Sequence, residues 1–354
     1  MPFPLQTPDK RYFYVARSGI YHLIRSLRLE HRVVLAPDYH HGNEIFAMKA
    51  AGAQVRYYPV QKNLDACLDA LGKLCEMKPK PRAVYITHFI GWPQPLPEIQ
   101  RLCRANGLLL IEDCALSFMS ELDGGPLGAF GDYSVFCLYK SVPLPNGGVL
   151  VGNFESGRNP GELQPCSAAS LTSRSAELML QWFRMRYETT GRALLALKRA
   201  AGRALNAGRV RRARVGNTGF DLSEVNLGMS PICQKLLRRF PYGRIKETRR
   251  RNFRIVEDRL HGKMSLLEKD LADGVCPLFF PLLVKNKHSA AAALLQRGIE
   301  TVEFWNDGDP EACRDGSAAQ FLRRHLLEIP IHQDVSADDA AFTADEILKL
   351  NLGL

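Results

Sequence analysis

The sequence predicts an α/β protein with a helix-covered sheet, followed by a smaller C-terminal α+β domain. Between residues 11 and 153, short apolar runs bounded by turn residues alternate with longer segments of helical periodicity, as expected for a sheet with covering helices. After residue 276 a shorter strand, helix, strand and helix series follows. The 354 residues, 46% of them hydrophobic, suffice for a large and a small domain. We expect the domains to span residues 1–238 and 239–354.

Periodicity and boundary signals predict the individual elements. In the large domain we expect helices at 14–29, 43–51 and 96–105, and strands at 33–36, 55–60, 83–87, 108–112, 133–138 and 148–151. Longer helices are expected at about 176–207 and at 232–260, the second interrupted near 241–243. The small domain should contain strands at 276–284 and 326–331 and helices at 288–298 and 337–351.

Two residues of the large domain suggest a pyridoxal-phosphate (PLP) site. Asp113 ends an apolar strand, and ligands of open α/β sheets lie beyond the carboxyl ends of strands. Lys140 follows 27 residues later, just before a Pro-Asn-Gly-Gly turn, and no other lysine lies between Lys80 and Lys198. PLP needs a lysine that forms a Schiff base with its aldehyde and a carboxylate that pairs with its ring nitrogen. The alternatives are a helix cap for Asp113 and a surface loop position for Lys140.

Composition limits the other possibilities. The formal charge is +10, and residues 174–214 carry eleven Arg or Lys against two acids. A solvated face explains this bias best, an anionic substrate comes second, and nucleic acid is a distant third because no reading motif accompanies it. The nine cysteines show no CxxC spacing, which indicates buried thiols rather than disulfides or a metal site. Without a signal peptide or a membrane-length apolar run, we expect a cytoplasmic protein.

Several segments, taken in order, resemble one protein family. They are 37–44 (PDYHHGNE), 111–115 (IEDCA), Gly131-Asp132, Lys140 before Gly147-Gly148, 226–230 (NLGMS) and 327–331 (LEIPI). Their order and spacing are similar to those of the DegT/StrS family of PLP-dependent aminotransferases, often called sugar aminotransferases. The resemblance covers most of the chain. It implies fold type I, with a mixed, mostly parallel sheet in the large domain.

The resemblance also implies roles for particular residues. Asp113 matches the aspartate that pairs with the pyridinium nitrogen, and Lys140 matches the Schiff-base lysine that also moves protons. His41 matches the aromatic position that stacks on the cofactor ring, although the adjacent His40 is an alternative. The remaining matches concern the cofactor phosphate: a helix-start turn whose amides hold it, and an asparagine that reaches it from the partner of a homodimer. These residues are Ser18, Gly19 and Ile20 for the turn, and Asn226 for the asparagine.

The chain departs from the family pattern at several places. The spacing from Asp132 to Lys140 is about two residues shorter than the family shows, and Cys137 replaces a serine that contacts the phosphate. Leu116 stands where the family has Gln or His near the cofactor's phenolic oxygen, so Ser117 or His88 would have to take that role. Gly228 replaces an arginine. These departures affect the substrate more than the cofactor.

The predicted activity is transfer of an amino group from an amino acid, glutamate in the family, to a keto or aldehyde acceptor such as a nucleotide-linked keto sugar. Candidate substrate contacts are His88, Trp92 and Trp305, each of which has a buried structural role as its alternative. A PLP-dependent lyase, decarboxylase or carbon-carbon bond-forming enzyme remains a second possibility. A third is a catalytically silent sensor that keeps the fold.

Overall fold

The computed structural model describes residues 1–153, 162–187, 190, 194, 219–312 and 315–354. Seven strands form the main sheet, in the order β1-β9-β8-β5-β4-β2-β3. Their bounds are β1 Lys10–Phe13, β2 Val33–Pro37, β3 Gln54–Tyr58, β4 Ala83–Thr87, β5 Leu109–Asp113, β8 Tyr133–Cys137 and β9 Gly148–Gly152, while β6 Glu121–Leu122 and β7 Gly125–Pro126 form a separate two-stranded ribbon. Only β9 runs antiparallel to its neighbours, β1 and β8; the other pairs within the sheet are parallel. The sheet is therefore mixed and mostly parallel.

Helices cover both faces of this sheet. They are α1 Ala16–Ser26, α2 Asn43–Ala50, α3 Leu68–Cys75 and α4 Leu96–Asn106. Strand β2 shows why both faces need cover: Val34 and Ala36 belong to one apolar cluster, with α1 and α2, whereas Val33 and Leu35 belong to the other. A parallel strand that alternates between two buried faces reads as a continuous apolar run.

The rest of the chain builds a second, smaller sheet. Helices α5 Ala168–Arg186, α6 Pro231–Leu236 and α7 Tyr242–Leu260 lead to it. Its strands are β10 Phe280–Leu283, β11 Val302–Glu303 and β12 Leu326–Ile329, all antiparallel, with β12 in the centre. Helices α8 Lys287–Gln296, α9 Ala318–His325 and α10 Ala337–Lys349 accompany them. The larger apolar cluster continues from the main sheet into this region, for example where Trp92 meets Phe253 at 5.5 Å between ring centroids.

The predicted architecture is confirmed, with differences in detail. Strand β1, helix α3 and helix α9 were not predicted; β1 has only four residues, and α3 and α9 have only eight. The helix expected at 176–207 begins earlier, at Ala168, and its part beyond residue 187 lies largely outside the described residues. The domain boundary at residue 238 stays a prediction. Among the described helices, none combines the length and the apolar character needed to cross a bilayer.

Candidate active site

A cavity of about 340 Å³ lies at the carboxyl edge of the main sheet. Side chains that follow four different strands line it: Arg17 after β1, Glu44 after β2, Asp113 at the end of β5 and Lys140 after β8. These four strands are parallel to one another, so their carboxyl ends meet at one edge, where α/β proteins bind ligands. The cavity therefore contains both residues that the sequence singled out for PLP.

Asp113 is held firmly at the end of β5. Its Oδ2 accepts a hydrogen bond from the Tyr85 hydroxyl and its Oδ1 one from the Ala115 amide, both at 2.8 Å. The residue is 6% exposed. Burial raises the pKa of the Asp113 carboxyl to about 6, and the nearby Glu44 carboxylate adds to this rise, while Lys140 opposes it. An anchored, partly desolvated carboxylate suits the pairing of a cationic ring nitrogen.

Lys140 ends a 3-10 turn, Leu138–Lys140, directly after β8. The turn that follows is fixed by close backbone approaches. The carbonyl of Gly147 accepts from the Leu138 amide at 2.9 Å, and a Cβ at Gly148 would come within 2.4 Å of the Ala16 nitrogen. Glycine is therefore required at residue 148. This arrangement places the exposed Lys140 side chain in the cavity that Asp113 and the start of α1 also line.

The pKa of Asp113 predicts a pH-dependent cost to the cofactor-free fold. Because the folded-state pKa of about 6 lies above the ordinary 3.8, the folded chain binds this proton more tightly than the unfolded chain does. The stabilisation that the protonated Asp113 carboxyl gives to the folded state is fully present below about pH 3.8, and it is lost as the pH rises through about 6. Asp113→Asn should therefore stabilise the cofactor-free protein by on the order of 2 to 3 kcal/mol near neutral pH.

Urea unfolding of the cofactor-free wild type and variant, at about pH 4 and about pH 7.5, measures this effect. The stability difference should grow toward the higher pH. Asp123→Asn is the matched control, because Asp123 is exposed and has a φ of 50°, which asparagine tolerates well. A difference for Asp113→Asn that is the same at both pH values would contradict the assigned shift.

The start of α1 faces the cavity, but the lining begins two residues earlier than expected. Ala16, Arg17 and Ile20 line it, whereas Ser18 and Gly19 lie behind them. No side chain caps the first amides of α1, since its N-cap is Val15. A helix start of this kind, together with the Arg17 guanidinium, suits a phosphate group. Cys137 lines the same end of the cavity, and burial raises the pKa of its thiol.

His41, rather than His40, faces the cavity. The His41 ring meets Trp305 edge to face, at 6.1 Å between centroids, and both residues line the cavity. The His40 ring instead stacks on Tyr57 at 5.5 Å and is fully buried, which lowers its pKa to about 3. Trp305 in turn stacks on Phe304 at 4.5 Å. An aromatic wall therefore closes one side of the cavity.

Two buried arginines tie the smaller sheet region to the site. Arg323 of α9 donates to the carbonyls of Asp38, His40, Trp305 and Asp307, which joins the loop before α2 to the loop that carries Trp305. Arg249 of α7 donates to the carbonyls of Ser141, Pro277 and Leu278, and so holds the segment just after Lys140. These hydrogen bonds from arginine side chains to backbone carbonyls join α7 and α9 to the segments that carry His41, Lys140 and Trp305.

Other predicted site residues lie elsewhere. His88 is buried behind the cavity, where its Nε2 pairs with Glu112 Oε2 at 2.9 Å and its Nδ1 accepts from the Gln94 amide at 3.1 Å. Trp92 is in the core and donates its indole N–H to the Asp270 carbonyl. Asn226 is exposed outside the cavity. Leu116 lines the cavity, but Ser117 lies fully buried beside it.

The titratable lining residues that were not singled out from the sequence include Arg17, Glu44, Glu328 and His332. Glu44 had a signal, because an acid in the first turn of a helix after a buried strand is well placed to face the sheet edge. Glu328 interrupts the apolar run of β12, and its side chain leaves the core face for the cavity. Burial raises the pKa of Glu328 to about 7, against the opposing effects of Lys140 and Arg249.

Comparison with known proteins bears on these assignments. Residues 46–156 match the model of the DegT/DnrJ/EryC1/StrS aminotransferase family. Over 76 residues the chain is 36% identical to the GDP-perosamine synthase of Escherichia coli O157:H7, a match that covers 21% of each protein. It is 25% identical to the dTDP-4-dehydro-2,3,6-trideoxy-D-glucose 4-aminotransferase of Saccharopolyspora spinosa, over 86% of this chain and 74% of the relative. The chain thus matches only about a fifth of the length of the first relative.

Solved structures share the fold across nearly the whole chain. A DegT/DnrJ/EryC1/StrS aminotransferase from Brucella abortus superposes with a TM-score of 0.67 at 16% identity, covering 98% of this chain and 86% of that one. Helicobacter pylori PseC, an aminotransferase involved in pseudaminic acid biosynthesis, gives a TM-score of 0.68 at 16% identity, covering 96% and 86%. The resemblance found in the sequence motifs is confirmed: residues 46–156 match the DegT/DnrJ/EryC1/StrS aminotransferase family model, and nearly the whole chain shares the fold of solved aminotransferases.

Proposed function

We propose that this chain is a PLP-dependent aminotransferase that moves an amino group from an amino acid to a carbonyl acceptor. The observation that carries the proposal is that Lys140 and Asp113 line one cavity at the carboxyl edge of the main sheet. The two side chains that PLP chemistry needs reach this cavity from different strands, and a silent sensor would have no need of that arrangement. The match of residues 46–156 to the aminotransferase family model supports the same activity.

The residues present fit PLP at each of its ends. The uncapped start of α1 and Arg17 would hold the phosphate, and Asp113 would pair with the ring nitrogen. Lys140 would bond to the aldehyde carbon, and His41 would lie against the ring. Cys137 has no hydroxyl to offer the phosphate, so the helix start and Arg17 would carry more of that binding.

When bound, PLP supplies an aldehyde that condenses with amines and a cationic ring that withdraws electrons from the bond that breaks. Asp113 would keep the proton on the ring nitrogen, while Tyr85 and the Ala115 amide hold its two oxygens in place. Lys140 Nζ, once released by the incoming amine, would take a proton from the substrate carbon that carries the amino group. It would then give a proton to the cofactor carbon that had carried the aldehyde. The aromatic wall of His41, Phe304 and Trp305 would exclude water from this transfer.

We propose glutamate as the amino donor and a nucleotide-linked keto sugar as the acceptor. Relatives named as GDP-perosamine synthase and as a dTDP-sugar 4-aminotransferase support this class. A second cavity, of about 610 Å³, shares Val302, Glu303, Glu328 and His332 with the first. It offers room for the part of the acceptor that lies beyond the reacting carbon.

A homodimer with shared sites forms part of the proposal. The support is the resemblance, which places at Asn226 an asparagine that reaches the phosphate of the partner's site, and Asn226 is exposed outside the cavity. Within one chain its side chain hydrogen-bonds with His22, a contact it would have to give up. We also propose a cytoplasmic location. The eight described cysteines are all free thiols, as is usual in a reducing compartment.

Half-reactions test the activity directly. Protein loaded with PLP should convert glutamate to its keto acid and lose the absorbance of the lysine-bound cofactor. A nucleotide-linked keto sugar should then restore that absorbance, which a simple keto acid or aldehyde should do less well. Protein prepared without PLP is the control. Release of carbon dioxide or ammonia in place of the keto acid would refute transamination and favour the lyase alternative, while restoration by the simple carbonyl alone would refute the acceptor class.

A further inference from the structure

Glu44 is a second buried carboxylate beside Asp113. It is the second residue of α2, is 7% exposed, and lines the cavity. Its Oε1 accepts from the His41 amide at 2.8 Å, which fixes the carboxylate at the start of the helix, where the helix dipole also favours negative charge. The carboxylate is therefore held in one place by local structure.

The charge of Lys140 acts on the Glu44 carboxylate. Burial raises the pKa of Glu44, and the positive charges of Lys140 and Arg323 oppose that rise. Glu44, Asp113 and Glu328, from α2, β5 and β12, line the same cavity as Lys140. The charge of Lys140 opposes the rise in pKa at each of these three carboxyls. The interaction is mutual, so each ionised carboxylate also stabilises a positive charge on the lysine nitrogen.

Other charged or titratable groups pack around Glu44 and Lys140. The groups that act on them or on the carboxyls beside them are Arg17, Tyr57, Tyr85, Cys137, Arg249 and Arg323. Arg323 already donates to four backbone carbonyls, and Arg249 to three. Both guanidinium groups thus donate mainly to the backbone, whereas Lys140 is an exposed amine in the cavity, which Arg17 also lines.

We propose that Glu44 is a positioning residue whose carboxylate stabilises positive charge on the Lys140 nitrogen and so keeps that nitrogen protonated at neutral pH. Asp113 and Glu44 then have different tasks. Asp113 would stabilise the positive charge on the ring nitrogen, whereas Glu44 would stabilise the positive charge on the lysine nitrogen that is bonded to the cofactor. This inference rests on the proposed function, because it concerns the lysine nitrogen after it has bonded to PLP.

A spectroscopic pH titration of the PLP-loaded protein tests this role without any substrate. The lysine-bound cofactor changes colour when its nitrogen loses a proton, and the midpoint of that change is compared between wild type and Glu44→Gln. Glutamine keeps an oxygen that can accept from the His41 amide but removes the charge. We expect the midpoint to fall by about one pH unit, because one nearby negative charge is lost in a partly enclosed site.

Two further variants make the result decisive. Glu98→Gln is the matched control: Glu98 is also in the first turn of a helix, α4, but is exposed and pairs with Arg101 on the surface. Its midpoint should equal that of wild type. Glu44→Ala should lower the midpoint as Glu44→Gln does, and it is the alternative if the glutamine variant does not fold.

The outcomes separate the two proposals. Wild-type protein that takes up no PLP would refute the proposed function itself. Wild-type protein that binds PLP, with Glu44 variants whose midpoint does not move, would refute only the role of Glu44. Glu44→Gln protein that folds but binds no PLP would also refute that role, since the charge would then be needed for cofactor binding rather than for the protonation of the nitrogen.

Discussion

Lys140→Ala should abolish amino-group transfer, with a fall in rate on the order of 10⁴-fold or more. The variant loses both the amine that bonds to the cofactor and the group that moves the proton, and general acid-base catalysis alone is worth about 10² to 10⁴. The fold should survive, because Lys140 is exposed to the cavity and none of the apolar clusters contains it. Single-turnover rates with glutamate and thermal unfolding measure the two properties.

Lys285→Ala is the matched control, since Lys285 is an exposed lysine in the smaller sheet region and does not line the cavity. It should transfer amino groups at the wild-type rate. Added methylamine should restore part of the Lys140→Ala rate, because a free amine can take over the proton transfer. A Lys140→Ala protein that retains more than about a tenth of the wild-type rate would contradict the role of Lys140.

Asp113→Asn should lower the transfer rate by about 10² to 10³-fold while leaving the fold intact. Removing one partner of a buried charge pair costs about 3 to 5 kcal/mol, and about 1.4 kcal/mol corresponds to a tenfold change in rate. The asparagine oxygen can still accept from the Ala115 amide. The loss should therefore come from the missing charge opposite the ring nitrogen and not from a displaced strand end.

The rate and the stability of this variant should move in opposite directions. At neutral pH the cofactor-free Asp113→Asn protein should be more stable than wild type, because the buried charge that catalysis needs is costly to the fold. Asp123→Asn should change neither property. An Asp113→Asn protein with a wild-type rate would contradict the role of Asp113, because the ring nitrogen would then pair with another group.

Most of the main sheet was predictable from the sequence because its strands are apolar runs between clear turn signals. Strand β4 was predicted with its observed bounds, and β5 and β8 to within one residue. The lysine and the aspartate were found for the same reason: each lies at or just beyond the end of such a run, and parallel strand ends converge. The motifs of the family made the pairing specific.

The parts of the site that could not be predicted depend on contacts between residues that are far apart in the sequence. Whether His88 faces the cavity or the core is decided by Glu112, whose carboxylate also accepts from the amides of Gly128, Phe130 and Gly131. No local pattern reveals that network. Arg17 also has no local signal as a site residue, because it lies in an ordinary helix start until the sheet brings that start to the cavity.

The most direct measurement of the central claim is covalent trapping of the cofactor. The PLP-loaded protein is treated with borohydride, digested, and mapped by mass spectrometry. One cofactor per chain should be found, attached to the peptide that contains Lys140, and Asp113→Asn should not move it. Attachment mainly to another lysine, or no attachment to a protein that is folded and saturated with PLP, would contradict the assignment of this cavity.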